Sequence, residues 1–205
     1  SNRYNISLLK QNTVKSDYGA AFYKNKIVFA SARDTGVLSK NIHKWDNESF
    51  TELYVASIEK DGQLSNPTKF SKTINSKFHE ATPALSPDGK SLYFTRNNYI
   101  DKKRKKDNEG LTRLKIYRAT LNSANEWVNI IEMPFNSDAY SCAHPSLNSS
   151  GDKMYFASDM PGTMGASDIF EVDLFLDGTV GTPKNLGREI NTEGRETFPY
   201  VSGDG

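Results

Sequence analysis

A chain of 205 residues that is 36% apolar can bury one large core or two small ones, and its 26 Lys and Arg nearly cancel its 25 Asp and Glu. A net charge of +1 points to no default partner among nucleic acids, membrane surfaces or acidic polymers, and no stretch approaches the roughly 20 apolar residues that cross a bilayer. Cys142 is the single cysteine, which excludes an intrachain disulfide. The opening SNRYNISLLK has neither the charged start nor the apolar centre of a signal peptide, so any export signal is expected to have been removed ahead of these residues.

Along the chain the dominant feature is self-similarity at a long period. Asn followed by Ser or Thr occurs at Asn12, Asn75, Asn136 and Asn191, and five residues after each stands Asp17, Glu80, Ser141 or Glu196. The run EATPALSPDGKSLYF from Glu80 recurs as SCAHPSLNSSGDKMYF from Ser141 and restarts as ETFPYVSGDG from Glu196, so that Pro83, Pro145 and Pro199 share one frame. The units are 12–74, 75–135 and 136–190, with a further one opening at 191–205.

Each unit divides into four short strands by alternation and turn chemistry. The first carries the proline, with Ala21 and Tyr23 near the equivalent place in the first unit. The second is Ile27-Val28-Phe29, Leu92-Tyr93-Phe94 or Met154-Tyr155-Phe156; the third is LYVASI from Leu53, IYRATL from Ile116 or IFEVDL from Ile169. The fourth follows a turn such as Asp61-Gly62 or Asp177-Gly178 and ends at Phe70, Ile131 or Leu186. Repeated four-stranded antiparallel units without helical segments predict an all-β fold, a β-propeller, here as three blades and a strand of an incomplete one. Long loops at 33–51 and 97–113 stretch the period beyond that of common blades.

Antiparallel order places the tight turns, such as Pro87-Asp88-Gly89-Lys90, on one side and the long loops and blade junctions on the other. The turns are expected to be structural. On the junction side, first strands border the central channel, which sets Asp17, Glu80 and Glu196, with His79, His144 and Arg195, around its mouth. The alternative is local: Asx turns at the Asn residues and backbone N–H bonds to the acids at each junction. Trp45 and Tyr99 in the long loops are candidate contacts with a partner, and the basic run from Lys102 to Lys106 reads as a solvated, mobile loop tip rather than a nucleic-acid site.

No H-E-x-x-H, G-x-S-x-G or phosphate-loop motif is present, and Cys142 near His144 reads as a buried thiol rather than a dyad. The expectation is a binding protein without cofactor or metal. One alternative is a propeller that holds a glycan or peptide at its channel, and the enzymatic one is a hydrolase with acids converging there from different blades.

The run LSPDGKSLYF with ASDIFEVDL resembles the WD40-like repeat of TolB-type propellers. SPDGKSLYFTRNNY, YFASDMPGTMGASDIF and GREINTEGRETFP are similar to the propeller segment of large OmpA-family cell-envelope proteins. That resemblance implies a periplasmic, outer-membrane-associated scaffold that docks cell-envelope proteins, in some members linked to type IX secretion. It also implies that peptidoglycan is bound only through a separate domain, not by these residues, and it brings no catalytic motif.

Overall fold

In a computed structural model the described residues are 6–33, 50–76, 78–97, 99–100, 103–104 and 112–203. They contain no α-helix. The first blade is β1 (Asp17–Tyr23), β2 (Lys26–Ser31), β3 (Glu52–Ser57) and β4 (Thr68–Lys69). The second begins with β5 (Glu80–Leu85) and β6 (Ser91–Asn97), is interrupted by the small pair β7 (Tyr99–Ile100) and β8 (Lys103–Arg104), and resumes with β9 (Leu114–Leu121) and β10 (Trp127–Glu132). The third is β11 (Cys142–Leu147), β12 (Lys153–Ser158), β13 (Asp168–Asp173) and β14 (Lys184–Asn185). All three blades are four-stranded antiparallel meanders in chain order.

Every blade centres on an aromatic pair across its second and third strands: Phe29 opposite Tyr54, Phe94 opposite Tyr117, and Phe156 opposite Phe170. Ring centroids lie 6.4, 6.0 and 6.0 Å apart. Such cross-strand pairs contribute roughly 0.2–1 kcal/mol each. The wider stabilisation comes from burial between blades. Val28, Ala30 and Leu53 of the first blade pack with Leu92, Phe94 and Ala119 of the second. Tyr93 and Ile116 of the second pack with Met154, Phe156 and Val172 of the third. Each sheet therefore hides one apolar face against its neighbour, and β5 lies against both β1 and β11 in a radial array.

The tight turns meet where blades adjoin. Gly151, at φ 75°, approaches Pro87 so closely that an added Cβ would stand 2.5 Å from the ring, tying the turn after β11 to the turn after β5. In the basic run, Lys103 and Arg104 form a strand of backbone pairs with Tyr99 and Ile100, where the sequence predicts only a loop tip.

Candidate functional site

Of the repeated Asn residues, Asn75, Asn136 and Asn191 are clamps on the third strand of the blade that precedes each in the chain. Asn75 accepts from Leu53 N (2.9 Å) and donates to Leu53 O (2.9 Å). Asn136 does the same for Ile116, at 3.1 and 2.7 Å, and Asn191 for Ile169, at 2.7 and 3.0 Å. A primary amide presents a donor and an acceptor side by side, as a neighbouring strand does, so one side chain completes the ladder where β4, β10 and β14 have ended.

The acids five residues on are held locally. Asp17 accepts from Thr13 N and Oγ1 (both 2.9 Å), from Ser31 Oγ (2.6 Å) and from Arg33 (2.8 Å). Partial burial pushes its carboxyl up, but the bonds from Arg33, Ser31 and Thr13 outweigh this and hold it below the usual range. Glu80 is 0% exposed, accepts from Ser76 Oγ (2.5 Å), and pairs with Arg96 at 3.0 Å. Burial pushes its carboxyl up to about 7 against the pull of Arg96 and Ser76. Arg33 and Arg96 each lie over the aromatic pair of their blade, Arg33 5.1 Å from Phe29 and Arg96 4.9 Å from Phe94. Glu196 accepts from Thr192 N (3.1 Å) and Oγ1 (2.6 Å).

In the third blade the strand register moves the equivalent position by one. Cys142, not Ser141, faces Ser158, as Asp17 faces Ser31 and Glu80 faces Arg96. One extra residue between Asn136 and the strand causes the slip. Cys142 is buried with its thiol 3.5 Å from Ser158 Oγ, and burial pushes that thiol up to about 12, which disarms it as a nucleophile at neutral pH.

Blade junctions use the same acidic residues through their backbone. Glu80 N donates to Thr51 O (3.0 Å) and Thr51 Oγ1 to Glu80 O (2.7 Å); Glu196 N and Ser167 repeat both bonds at 3.0 and 2.8 Å. His79 accepts from Thr51 N at 3.0 Å and lies edge-on to Phe50. Arg195 is exposed beside its bridge to Ser167. Trp45 lies outside the described residues; of Tyr99 the structure describes the backbone, in β7.

The cavity lies further along the same strands. About 640 Å³ is enclosed by β1 from Gly19 to Phe22, β5 from Thr82 to Leu85, β11 from His144 to Leu147, and the extended segment from Phe198 to Val201. It reaches Pro87 and Ser149 on the turn side, where the sequence predicts a purely structural role. None of its lining residues is charged, and of the binding candidates named from the sequence His144 is the one that lines it. Phe22, Phe198 and Tyr200 expose 69, 52 and 76% of their surface.

A recurring backbone kink shapes this wall. β1, β5 and β11 each carry a β-bulge, whose first unpaired residue is Gly19, Thr82 or His144. These have φ of 64, 41 and 57°, and Phe198 repeats the conformation at 53°. Three non-glycine residues in the left-handed region, each costing of order 1–3 kcal/mol, face one channel. His144 N donates to Thr95 Oγ1 (2.9 Å), which also bonds Thr82 Oγ1 (2.9 Å). The His144 ring stacks on Phe198 with centroids 3.8 Å apart, while its Nδ1 accepts from Phe198 N at 3.4 Å. Burial pushes the imidazole down to about 4, so it is neutral at pH 7, and the Nδ1 contact leaves its proton on Nε2. Tyr18 meets Phe198 edge-on at 6.3 Å, joining the first blade to the segment past the third. The residues missed in the sequence, Phe22 and Tyr200, carried one usable signal: large aromatics within the first-strand frame.

Comparison with protein-family models and with curated proteins finds no match. Among solved structures the chain is similar to TolB from Acinetobacter baumannii, with a TM-score of 0.50 and 18% identity over 93% of this chain and 36% of that one. It is similar to a putative TolB from Agrobacterium tumefaciens, with a TM-score of 0.50 and 16% identity over 88% of this chain and 48% of that one. A thermostable family-43 glycoside hydrolase matches with a TM-score of 0.51 and 14% identity over 84% of this chain and 54% of that one. The likeness is one of fold, that of a TolB-type propeller segment, and the chain spans between about a third and a half of the two TolB structures.

Proposed function

We propose that this chain is a non-catalytic propeller scaffold that docks a cell-envelope protein at its central channel. The carrying observation is the uncharged cavity, walled by the first strands of three blades and the extended segment that follows the third, and edged by exposed Phe22, Phe198 and Tyr200. An exposed aromatic rim around an apolar hollow suits an apolar segment of a protein partner. A glycosidase would need carboxylates aimed at its substrate. Asp17, Glu80 and Glu196 instead bond within their own junctions, and none lines the cavity. The periplasmic, outer-membrane-associated setting, the OmpA-family relationship and the link to type IX secretion are parts of this proposal that rest on the sequence motifs.

The test is recovery of envelope proteins by the immobilised chain, compared with a Phe22→Ala/Tyr200→Ala variant and a Trp45→Ala/Tyr99→Ala variant. Loss of a specific partner with the first variant is expected. Undiminished recovery with that variant would reject the channel, and loss confined to the second would move the contact to the long loops. Turnover of glycosidase or esterase substrates that disappears on changing Glu80 or Glu196 would overturn the non-catalytic reading.

A further inference from the structure

A second groove, of about 360 Å³, opens between the first and second blades. Its floor is an aromatic trio: Tyr23 lies 6.0 Å from Phe70 and 6.3 Å from Trp127, and Phe70 lies 5.7 Å from Trp127. Trp127 is only 5% exposed, whereas Tyr23 and Phe70 are half-buried and leave apolar surface open.

Four lysines gather at this groove. Lys26 and Lys72 line it, and Lys24 Nζ sits 5.3 Å from the Tyr23 ring centre. The turn bearing Lys90 abuts them: a Cβ on Gly89 would stand 3.2 Å from Tyr23 and 3.8 Å from Lys24, and Lys90 O accepts from Leu121 N at 2.8 Å. None of the four makes an ion pair among the described residues, while Lys69, Lys115 and Lys153 all do. The nearby acids are engaged locally, Asp88 with Ser86 Oγ (2.5 Å) and Lys90 N (3.0 Å), Glu126 with Asn122 Nδ2 (3.1 Å). Four lysines against the two carboxylates of Asp88 and Glu126, the latter lining the groove, leave a net positive rim around an apolar floor.

We infer that this groove docks an acidic peptide segment of a partner protein, with one apolar side chain on Tyr23 and Phe70 and carboxylates against the lysines. Charge complementarity selects an anionic occupant, and the apolar floor adds a demand that a simple anion does not meet. Base or sugar stacking needs an open aromatic face, and the largest ring here is closed off. Separate lysine point charges suit carboxylates spaced along a chain better than the bidentate grip that phosphate takes from arginine. The inference is independent of the channel, whose lining carries no charge.

The experiment is fluorescence anisotropy of a labelled peptide of Asp and Glu residues around one Phe, titrated with the whole chain. Binding is expected to weaken roughly tenfold between about 50 and about 300 mM salt. Lys26→Glu/Lys72→Glu should weaken it at least about tenfold, Lys184→Glu should leave it unchanged, and replacing the peptide's Phe by Ser should weaken it about fivefold. All three lysines are exposed, so the variants are expected to fold, as far-UV circular dichroism will verify. Absence of binding at millimolar concentration, an equal loss with Lys184→Glu, or indifference to the Phe would overturn the inference. Polyphosphate or anionic vesicles competing with the same lysine dependence and no need for the Phe would overturn it too, marking the surface as a general anion site.

Discussion

Replacing Asn191 by Ala removes, in one step, both hydrogen bonds to Ile169, at 2.7 and 3.0 Å, and the bond to Asn185 Oδ1 at 2.9 Å. Asn191 is 2% exposed, so water does not readily replace the amide. Ile169 O keeps its bond from Leu186 N at 3.1 Å, so Ile169 N is the one backbone group abandoned, a loss of about 1–3 kcal/mol. The equivalent changes at Asn75 and Asn136 act at half-buried sites where water reaches the freed groups, and about 1 kcal/mol is expected there. Urea unfolding followed by far-UV circular dichroism should show Asn191→Ala lowering the midpoint by roughly 1 M, with an unchanged slope, and by more than either counterpart. A midpoint equal to that of the unsubstituted chain, or a smaller loss than at Asn75, would refute the clamp as a buried substitute strand.

Two buried groups oppose each other in the pH profile. Glu80 titrates at about 7 when folded, against an ordinary value of 4.5, so the native state holds its proton more tightly and stability falls as pH rises from about 4.5 to 7. His144 titrates at about 4 against an ordinary 6.5, so stability falls as pH drops from about 6.5 to 4. Glu80→Gln should remove the first slope and His144→Asn the second, with Asn tolerating the left-handed backbone; melting temperatures at stepped pH provide the check. Unchanged slopes would refute these assignments. Gly19→Ala places a methyl 2.8 Å from Thr82 Cγ2 at φ 64°, whereas Gly62→Ala meets open space at φ 78°. The first should therefore destabilise by at least about 1 kcal/mol more than the second in the same urea assay.

The blades were legible because their signals are local: alternation in LYVASI and IFEVDL, aromatics at Phe29, Phe94 and Phe156, and prolines in one frame. The recurrence of Asn75, Asn136 and Asn191 was visible, but not its purpose, since the bonded partner lies 20 or 22 residues away in the chain. The register at Cys142 was lost because the Asn and Pro frames differ by one residue there, and only pairing with Ser158 decides between them. Left-handed Thr82, His144 and Phe198 carry no glycine to announce the bulge. The cavity was hidden for a related reason: its walls come from four segments more than 50 residues apart, and the acids that mark three of them sit at the junctions rather than in the hollow.

Hydrogen exchange of the whole chain, alone and with a partner recovered through the channel-dependent assay, tests the central claim most directly. Slowed exchange is expected at the first-strand positions around Ala20–Phe22, Ala84–Leu85, Ser146–Leu147 and Tyr200–Val201. Slowing confined to 33–51 and 97–113, with those positions unaffected, would contradict it.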